Sequence, residues 1–281
     1  MTSDGLIGAA RRRAIPVVQD FRLRAEAWRP GHLAECAKWW ALDRRGRRSY
    51  EVLSERELGA TRRSDTVFVF GSGKSLLDIS PEEWARIGEH DTFGFNQFHE
   101  QRWVRVDYHL IAEVIDPDAY ARSIRENERY ADTVFCVAAG FLAHRGNELV
   151  GRRRLPERAR LFRFRRVALP RYGPPSASFR KGVVHFANTT VSSTNFAALA
   201  GWKRIVLVGV DLYDKEYFWL PPGGIVAGEQ PGRTADMRFP NADRTIDTFR
   251  RWRPLLERRG VELSVYNPRS LLAGALDVFA W

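Results

Sequence analysis

Cysteine and methionine are scarce: the 281 residues hold two of each. Cys36 and Cys136 are too few for a disulfide framework and stand at no metal-ligand spacing, which fits a reducing compartment. No apolar run reaches about 18 residues, so no membrane-spanning helix is expected. Arg11, Arg12 and Arg13 are followed by no long apolar stretch, which argues against a signal peptide. Acidic residues are short as well, 34 Asp and Glu against 45 Lys and Arg, giving a net charge of +11. The arginines come in pairs and triplets without a zinc-finger, RNA-binding or helix-turn-helix signature, so nucleic acid is not an expected partner. An anionic membrane surface, an anionic substrate and a merely arginine-rich composition all remain open.

What is present suffices for a large core: 44% hydrophobic residues, 12% aromatic. The chain is organised around Val67-Phe68-Val69-Phe70-Gly71-Ser72-Gly73-Lys74-Ser75-Leu76. Four apolar residues running into a glycine pair read as a buried parallel strand and a sharp turn. Gly71 and Gly73 let backbone pass close to a ligand, and Ser72, Lys74 and Ser75 add donors. The stretch lacks the last glycine of the dinucleotide fingerprint, and Phe68 stands where a P-loop would open with glycine. A tight turn without a ligand is the alternative. Ser80 and Pro81 then predict the start of a helix.

Residues 1–64 read as a basic helical accessory segment, with helices over 17–28 and 32–42 and exposed or packed Trp28, Trp39 and Trp40. From 65 onward strands are expected at 67–70, 92–97, 108–112, 133–139, 204–211 and 261–266, alternating with helices at 81–87, 116–130, 189–199 and 245–259. The fold class is therefore α/β, a Rossmann-like doubly wound and mainly parallel sheet with a helical N-terminal extension. Residues 140–181 and 220–240 read as lid-like insertions in the 65–281 domain. Ligands of such sheets sit at the carboxyl ends of strands, which here carry Gly71 to Ser75, Asn96, Asp211 to Tyr217 and Asn267 to Ser270. Asp211 also reads as a turn residue accepting backbone N–H bonds.

Four segments in order, Gly71-Ser72-Gly73-Lys74-Ser75-Leu76, Phe95-Asn96-Gln97-Phe98, Ala200-Gly201-Trp202-Lys203-Arg204-Ile205-Val206-Leu207-Val208-Gly209-Val210-Asp211-Leu212-Tyr213 and Asn267-Pro268-Arg269-Ser270-Leu271-Leu272-Ala273, resemble the bacterial sialyltransferases of glycosyltransferase family 42. The resemblance covers about 66–275. It implies a GT-A-like fold and metal-independent, inverting transfer of an acidic sugar, sialic acid or a related nonulosonate, from a CMP donor to a glycan hydroxyl. No further cofactor is implied. It places Gly71, Ser72, Gly73, Lys74, Ser75, Asn96, Thr189, Thr190, Asp211, Pro268 and Ser270 around the donor nucleotide, with Tyr213 and Tyr217 at the leaving phosphate. The family's histidine base is missing from 232–246, which leaves Asp236, Asp243 and His185 as candidates; Asp243 also reads as a helix N-cap. A cytoplasmic enzyme is expected, peripheral on the inner membrane through its basic N-terminal segment, and able to form a homo-oligomer. Two other readings stand beside it: a magnesium-dependent diphosphokinase, in which Lys74 meets ATP phosphates, and a nucleotide- or membrane-surface-binding protein without catalysis.

Overall fold

The computed structural model describes residues 30–281 except 113, 115, 141, 142, 169–172, 187, 214, 215 and 222–240. The expected helix at 17–28, Trp28, Asp236 and nearly all of the 220–240 insertion lie outside the described residues.

The strands are β1 (Glu51–Leu53), β2 (Thr66–Phe70), β3 (Asp91–Phe95), β4 (Tyr108–Ile111), β5 (Val134–Ala139), β6 (Arg160–Ala168), β7 (Val183–His185), β8 (Arg204–Val208), β9 (Glu262–Val265) and β10 (Asp277–Val278). They form one sheet in the order β1-β6-β5-β4-β3-β2-β8-β9-β10, with β7 beside β6, and every pairing between named strands is parallel. The helices are α1 (Pro30–Gly46), α2 (Glu55–Ala60), α3 (Pro81–Gly88), α4 (Pro117–Glu126), α5 (His144–Gly151), α6 (Thr189–Ala200) and α7 (Ala242–Glu257).

Both faces of the sheet are covered, as parallel strands require. Along β2, Val67 and Val69 join Phe196 of α6 and Phe249 of α7 in one core, while Phe68 and Phe70 join Trp84 of α3 and Ile124 of α4 in the other. The fold is thus an α/β, Rossmann-like doubly wound sheet. Ser80 caps α3 reciprocally with Glu83, and Pro81 opens it, as its sequence predicts. From β2 the chain moves outward through β3, β4, β5 and β6, then returns through α6 to lay β8 on the other side of β2. That reversal is the topological switch point, where the ends of two adjacent strands splay into a crevice.

Two segments differ from their sequence reading. Residues 140–181 contribute α5 and the nine-residue β6, the longest described strand. β6 carries arginines at 160, 163, 165 and 166, and Arg163 points inward only because Asp43 of α1 and Asn147 of α5 receive it at 2.7 and 2.9 Å. Residues 30–64 do more than flank the domain. β1 pairs with β6, and α1 packs on α5 so closely that a Cβ on Gly46 would lie 2.2 Å from the Val150 carbonyl oxygen. Among the described residues no helix is long and apolar enough to cross a membrane.

Candidate functional site

At the switch point three loops are tied to one carboxylate. Asp211, buried just beyond β8, accepts from the Ser75 amide at 3.0 Å, the Ser75 hydroxyl at 2.6 Å and the Asn267 side-chain amide at 2.9 Å. Its own carbonyl accepts from Leu271 N–H, and Ser270 Oγ donates to the Val210 carbonyl at 2.6 Å. The glycines are explained by the same crossing. A Cβ on Gly71 would sit 2.3 Å from the Gly209 carbonyl oxygen, and one on Gly73 2.3 Å from Asp211 Oδ2. The bare backbone of Gly71 and Gly73 therefore lies against residues 209–211. The loop is clasped from outside as well: Gly73 bridges Tyr217, and Phe218 N–H donates to the Ser72 carbonyl. The exposed Lys74 ammonium pairs with Glu216 at 2.5 Å, so its charge is already compensated.

Beside this hub is a cavity of about 470 Å³ whose walls include Ser75, Asn267, Pro268, Arg269 and the rings of Tyr266 and Phe279. Its size suits a small ligand. The Tyr266 hydroxyl donates to Glu83 at 2.6 Å, which holds the Glu83 carboxyl below its usual range. Arg269 reaches Asp78 at 2.5 Å and lies close enough to Tyr213 for its pKa to be raised by Asp78 first and by Tyr213 next. A larger cavity, about 700 Å³, is lined by other residues of α3, Trp84 among them, and by Trp103 stacked on that indole. We place the site at the smaller one, because it adjoins the strand ends at the switch point.

A second group lines the same rim one strand over. Asn96 follows β3 with φ +50°, a left-handed conformation that asparagine tolerates. Its amide reaches Thr189 Oγ1 at 3.5 Å, while its shielded Oδ1 has no hydrogen-bond partner. Thr189 and Thr190 are buried in the first turn of α6, whose cap is Asn188. His185 ends β7, its Nδ1 3.2 Å from Ser192 Oγ of α6. The ring reaches the surface edge of β7, yet crowding by surrounding protein, with Arg166 nearby, pushes its pKa down to about 4. It is therefore neutral at pH 7 and able to accept a proton. The Asn188 side chain also donates to Thr245 Oγ1 at 2.8 Å, joining the start of α6 to that of α7. Asp243 lies in the first turn of α7; the N-cap is Asn241, which corrects the sequence reading of Asp243 in that position.

No protein-family model matches the chain, and no curated protein matches it. Among solved structures it is similar to the monofunctional alpha-2,3-sialyltransferase Cst-I from Campylobacter jejuni. The identity is 15%, the alignment covers 81% of this chain and 82% of that one, and the TM-score is 0.45. The fold assignment here rests on the strand order itself.

Direct contacts tie the glycine turn to the hub: Gly71 and Gly73 lie against residues 209–211, Ser75 bonds Asp211, Gly73 bridges Tyr217, and Ser270 bonds the Val210 carbonyl, with Pro268 on the cavity wall and Tyr213 near Arg269. Asn96 meets Thr189 and His185 meets Ser192 at the start of α6, and Asp243 stands in the first turn of α7, which Asn188 joins to α6; none of these lines the cavity. Asn267, Arg269 and Tyr266 were not singled out as site residues by sequence. Asn267 and Arg269 stand in the Asn267 to Ala273 segment, and Tyr266 directly follows β9, so position alone was a signal for all three.

Proposed function

We propose that the chain is an inverting glycosyltransferase that moves an acidic sugar from a CMP donor to a glycan hydroxyl. The observation that carries this reading is the junction at Asp211, where the loops after β2, β8 and β9 meet beside a ligand-sized cavity at the switch point. The four-segment resemblance supports the donor class.

In this reading the bond between the sugar's anomeric carbon and the phosphate oxygen breaks, and CMP leaves with the electron pair. Tyr213 and Tyr217 donate to the leaving phosphate, where negative charge grows in the transition state. One such pre-aimed donor is typically worth about 3 kcal/mol. Arg269, held by Asp78 beside Tyr213, offers its remaining N–H groups at the same place. Asn96 Oδ1 accepts an N–H or O–H of the nucleoside, which supplies the partner it lacks. The acceptor hydroxyl attacks from the opposite face of the sugar, and its proton passes to a base. His185 is the candidate we favour, since its neutral ring stands at the mouth of α6; Asp243 is the other. No step needs a metal ion.

The test is slow hydrolysis of CMP-sialic acid by the purified protein in the presence of EDTA, with water as acceptor. We expect turnover that Tyr213→Phe with Tyr217→Phe abolishes. Activity that requires magnesium and ATP, or stabilisation by another nucleotide and not by CMP, overturns the donor assignment.

A further inference from the structure

Helix α1 has two apolar sides. Cys36, Trp39, Asp43 and Gly46 recur at helical spacing and are buried, facing α5 and β6. Leu33, Ala37, Trp40, Ala41 and Arg44 form a second stripe at i, i+4, i+7, i+8 and i+11; all but the half-buried Leu33 are exposed. Trp40 keeps 38% of its surface open, an unusual position for an indole, and the Arg44 guanidinium lies 4.1 Å above its ring.

The close seat of Gly46 on Val150 brings the C-terminal ends of α1 and α5 together. Two arginine clusters about a hundred residues apart in sequence thereby become one surface. Arg44, Arg45, Arg47 and Arg48 come from the end of α1; Arg152 and Arg153 come from the end of α5, and the Arg152 guanidinium lies 4.6 Å from the Trp39 ring of α1. The acids that could neutralise this surface are turned inward or engaged. Asp43 is buried against Arg163, and Glu148, shared between Arg145 and Arg152, offsets only the Arg152 charge of this surface. The exposed acids of α1 and β1 are Glu35 and Glu51, against Lys38 and the arginines.

We propose that this surface docks on a lipid bilayer carrying anionic phospholipid, with Trp40 at headgroup depth and the arginines against the phosphates. An apolar stripe rimmed by arginine and carrying tryptophan is the chemistry of an interfacial helix. Nucleic acid would meet the cations but has no use for the stripe. Because α1 and α5 lead into β1 and β6, their C-terminal ends lie at the opposite rim of the sheet from the candidate site. Docking there leaves that site facing water.

The test is flotation of the full chain with vesicles of neutral phosphatidylcholine, and with vesicles in which about a third of the lipid is phosphatidylglycerol. Binding should be confined to the anionic vesicles and fade as salt rises towards 1 M, where the screening length is only about 3 Å. Replacing Arg44, Arg45, Arg47 and Arg48 by Gln should weaken partition about fivefold for each charge removed. Arg47→Gln with Arg48→Gln alone lies outside the helix and keeps the test open should the larger variant melt early. Trp40→Ser should weaken binding at high and low salt alike. Failure to float with anionic vesicles, equal flotation of the arginine variants and wild type, or stronger binding to duplex DNA through the same arginines each overturns the proposal.

Discussion

The Ser75 hydroxyl donates to the Asp211 carboxylate across 2.6 Å, joining two loops 136 positions apart in sequence. That bond, with the Ser75 amide and Asn267 contacts on the same carboxylate, fixes the relative position of the strand ends at the candidate site. Asp211→Ala should destabilise the fold by about 2–4 kcal/mol, because three buried donors lose a charged acceptor together. Ser75→Ala should cost less, about 1.5 kcal/mol, since the amide and Asn267 contacts survive. Urea unfolding of the three proteins measures both; equal stabilities would show that the hub is incidental.

Gly73→Ala tests the close crossing itself. Its Cβ would stand 2.3 Å from Asp211 Oδ2, so the loop or the carboxylate must move, at about 1–3 kcal/mol. Gly59→Ala in α2 meets nothing within 4 Å and serves as the control. It should be neutral or stabilise by roughly 0.5–1 kcal/mol through backbone entropy. The Gly73→Ala melting temperature should fall, and that of Gly59→Ala should hold or rise.

Arg163 and Asp43 form an ion pair whose side chains are 10% and 7% exposed. Burial lowers the Arg163 pKa despite its carboxylate partner. Asp43→Ala strands a guanidinium in the interior and should destabilise by about 3–5 kcal/mol. Asp43→Ala with Arg163→Met should recover much of that loss. A double-mutant cycle measures the coupling, and full additivity would mean that the pair does not hold α1 to β6.

His109 is fully buried between two phenols, with Tyr120 Oη 2.7 Å from Nε2 and Tyr130 Oη 2.9 Å from Nδ1. A neutral ring is served by both phenols, one donating to it and the other accepting from it. Burial holds its pKa well below the ordinary value. The unfolded chain therefore binds a proton at a higher pH than the folded one. The stabilisation is complete above about pH 6.5 and is lost as pH falls below it, at up to about 1.4 kcal/mol per pH unit for this one group. His109→Gln should flatten that acid limb in unfolding experiments run from pH 7 to pH 5. An unchanged limb would assign it to other groups.

His185→Gln should lower glycosyl transfer by about 10²–10⁴-fold if the ring takes the acceptor proton. The wild-type rate should stay level from neutral pH down to about pH 5 and fall towards pH 4, where the ring charges. CMP binding should be unchanged in the variant. Loss of transfer in Asp243→Asn instead, with His185→Gln unimpaired, would move the base to α7.

Much of the sheet was legible because its central strands are apolar on both sides: the Val67 to Phe70 run, and that from Ile205 to Val208, are buried throughout. Ser80 and Pro81 marked the start of α3, which the backbone follows. β6 was not legible. Its inward Arg163 looks like a surface residue until Asp43, 120 positions earlier, is brought beside it. The alternation of Phe162 and Phe164 was the available signal. β1 is three residues long, too short for any period to register. At the site, the positions of polar residues at strand ends were legible from topology alone. Their partners were not: that Lys74 would meet Glu216, and that the bare faces of Gly71 and Gly73 would meet Gly209 and Asp211, depends on how two distant loops cross.

The orphan oxygen of Asn96 has a bearing on selectivity. A shielded carbonyl rejects an incoming lone pair and welcomes an N–H or O–H, so under the proposed donor reading two nucleosides of equal size would be told apart by the polarity of a single edge. A site that discriminates by an unmet acceptor excludes the wrong base more sharply than one that discriminates by shape, because the mismatch leaves two oxygens facing each other out of water.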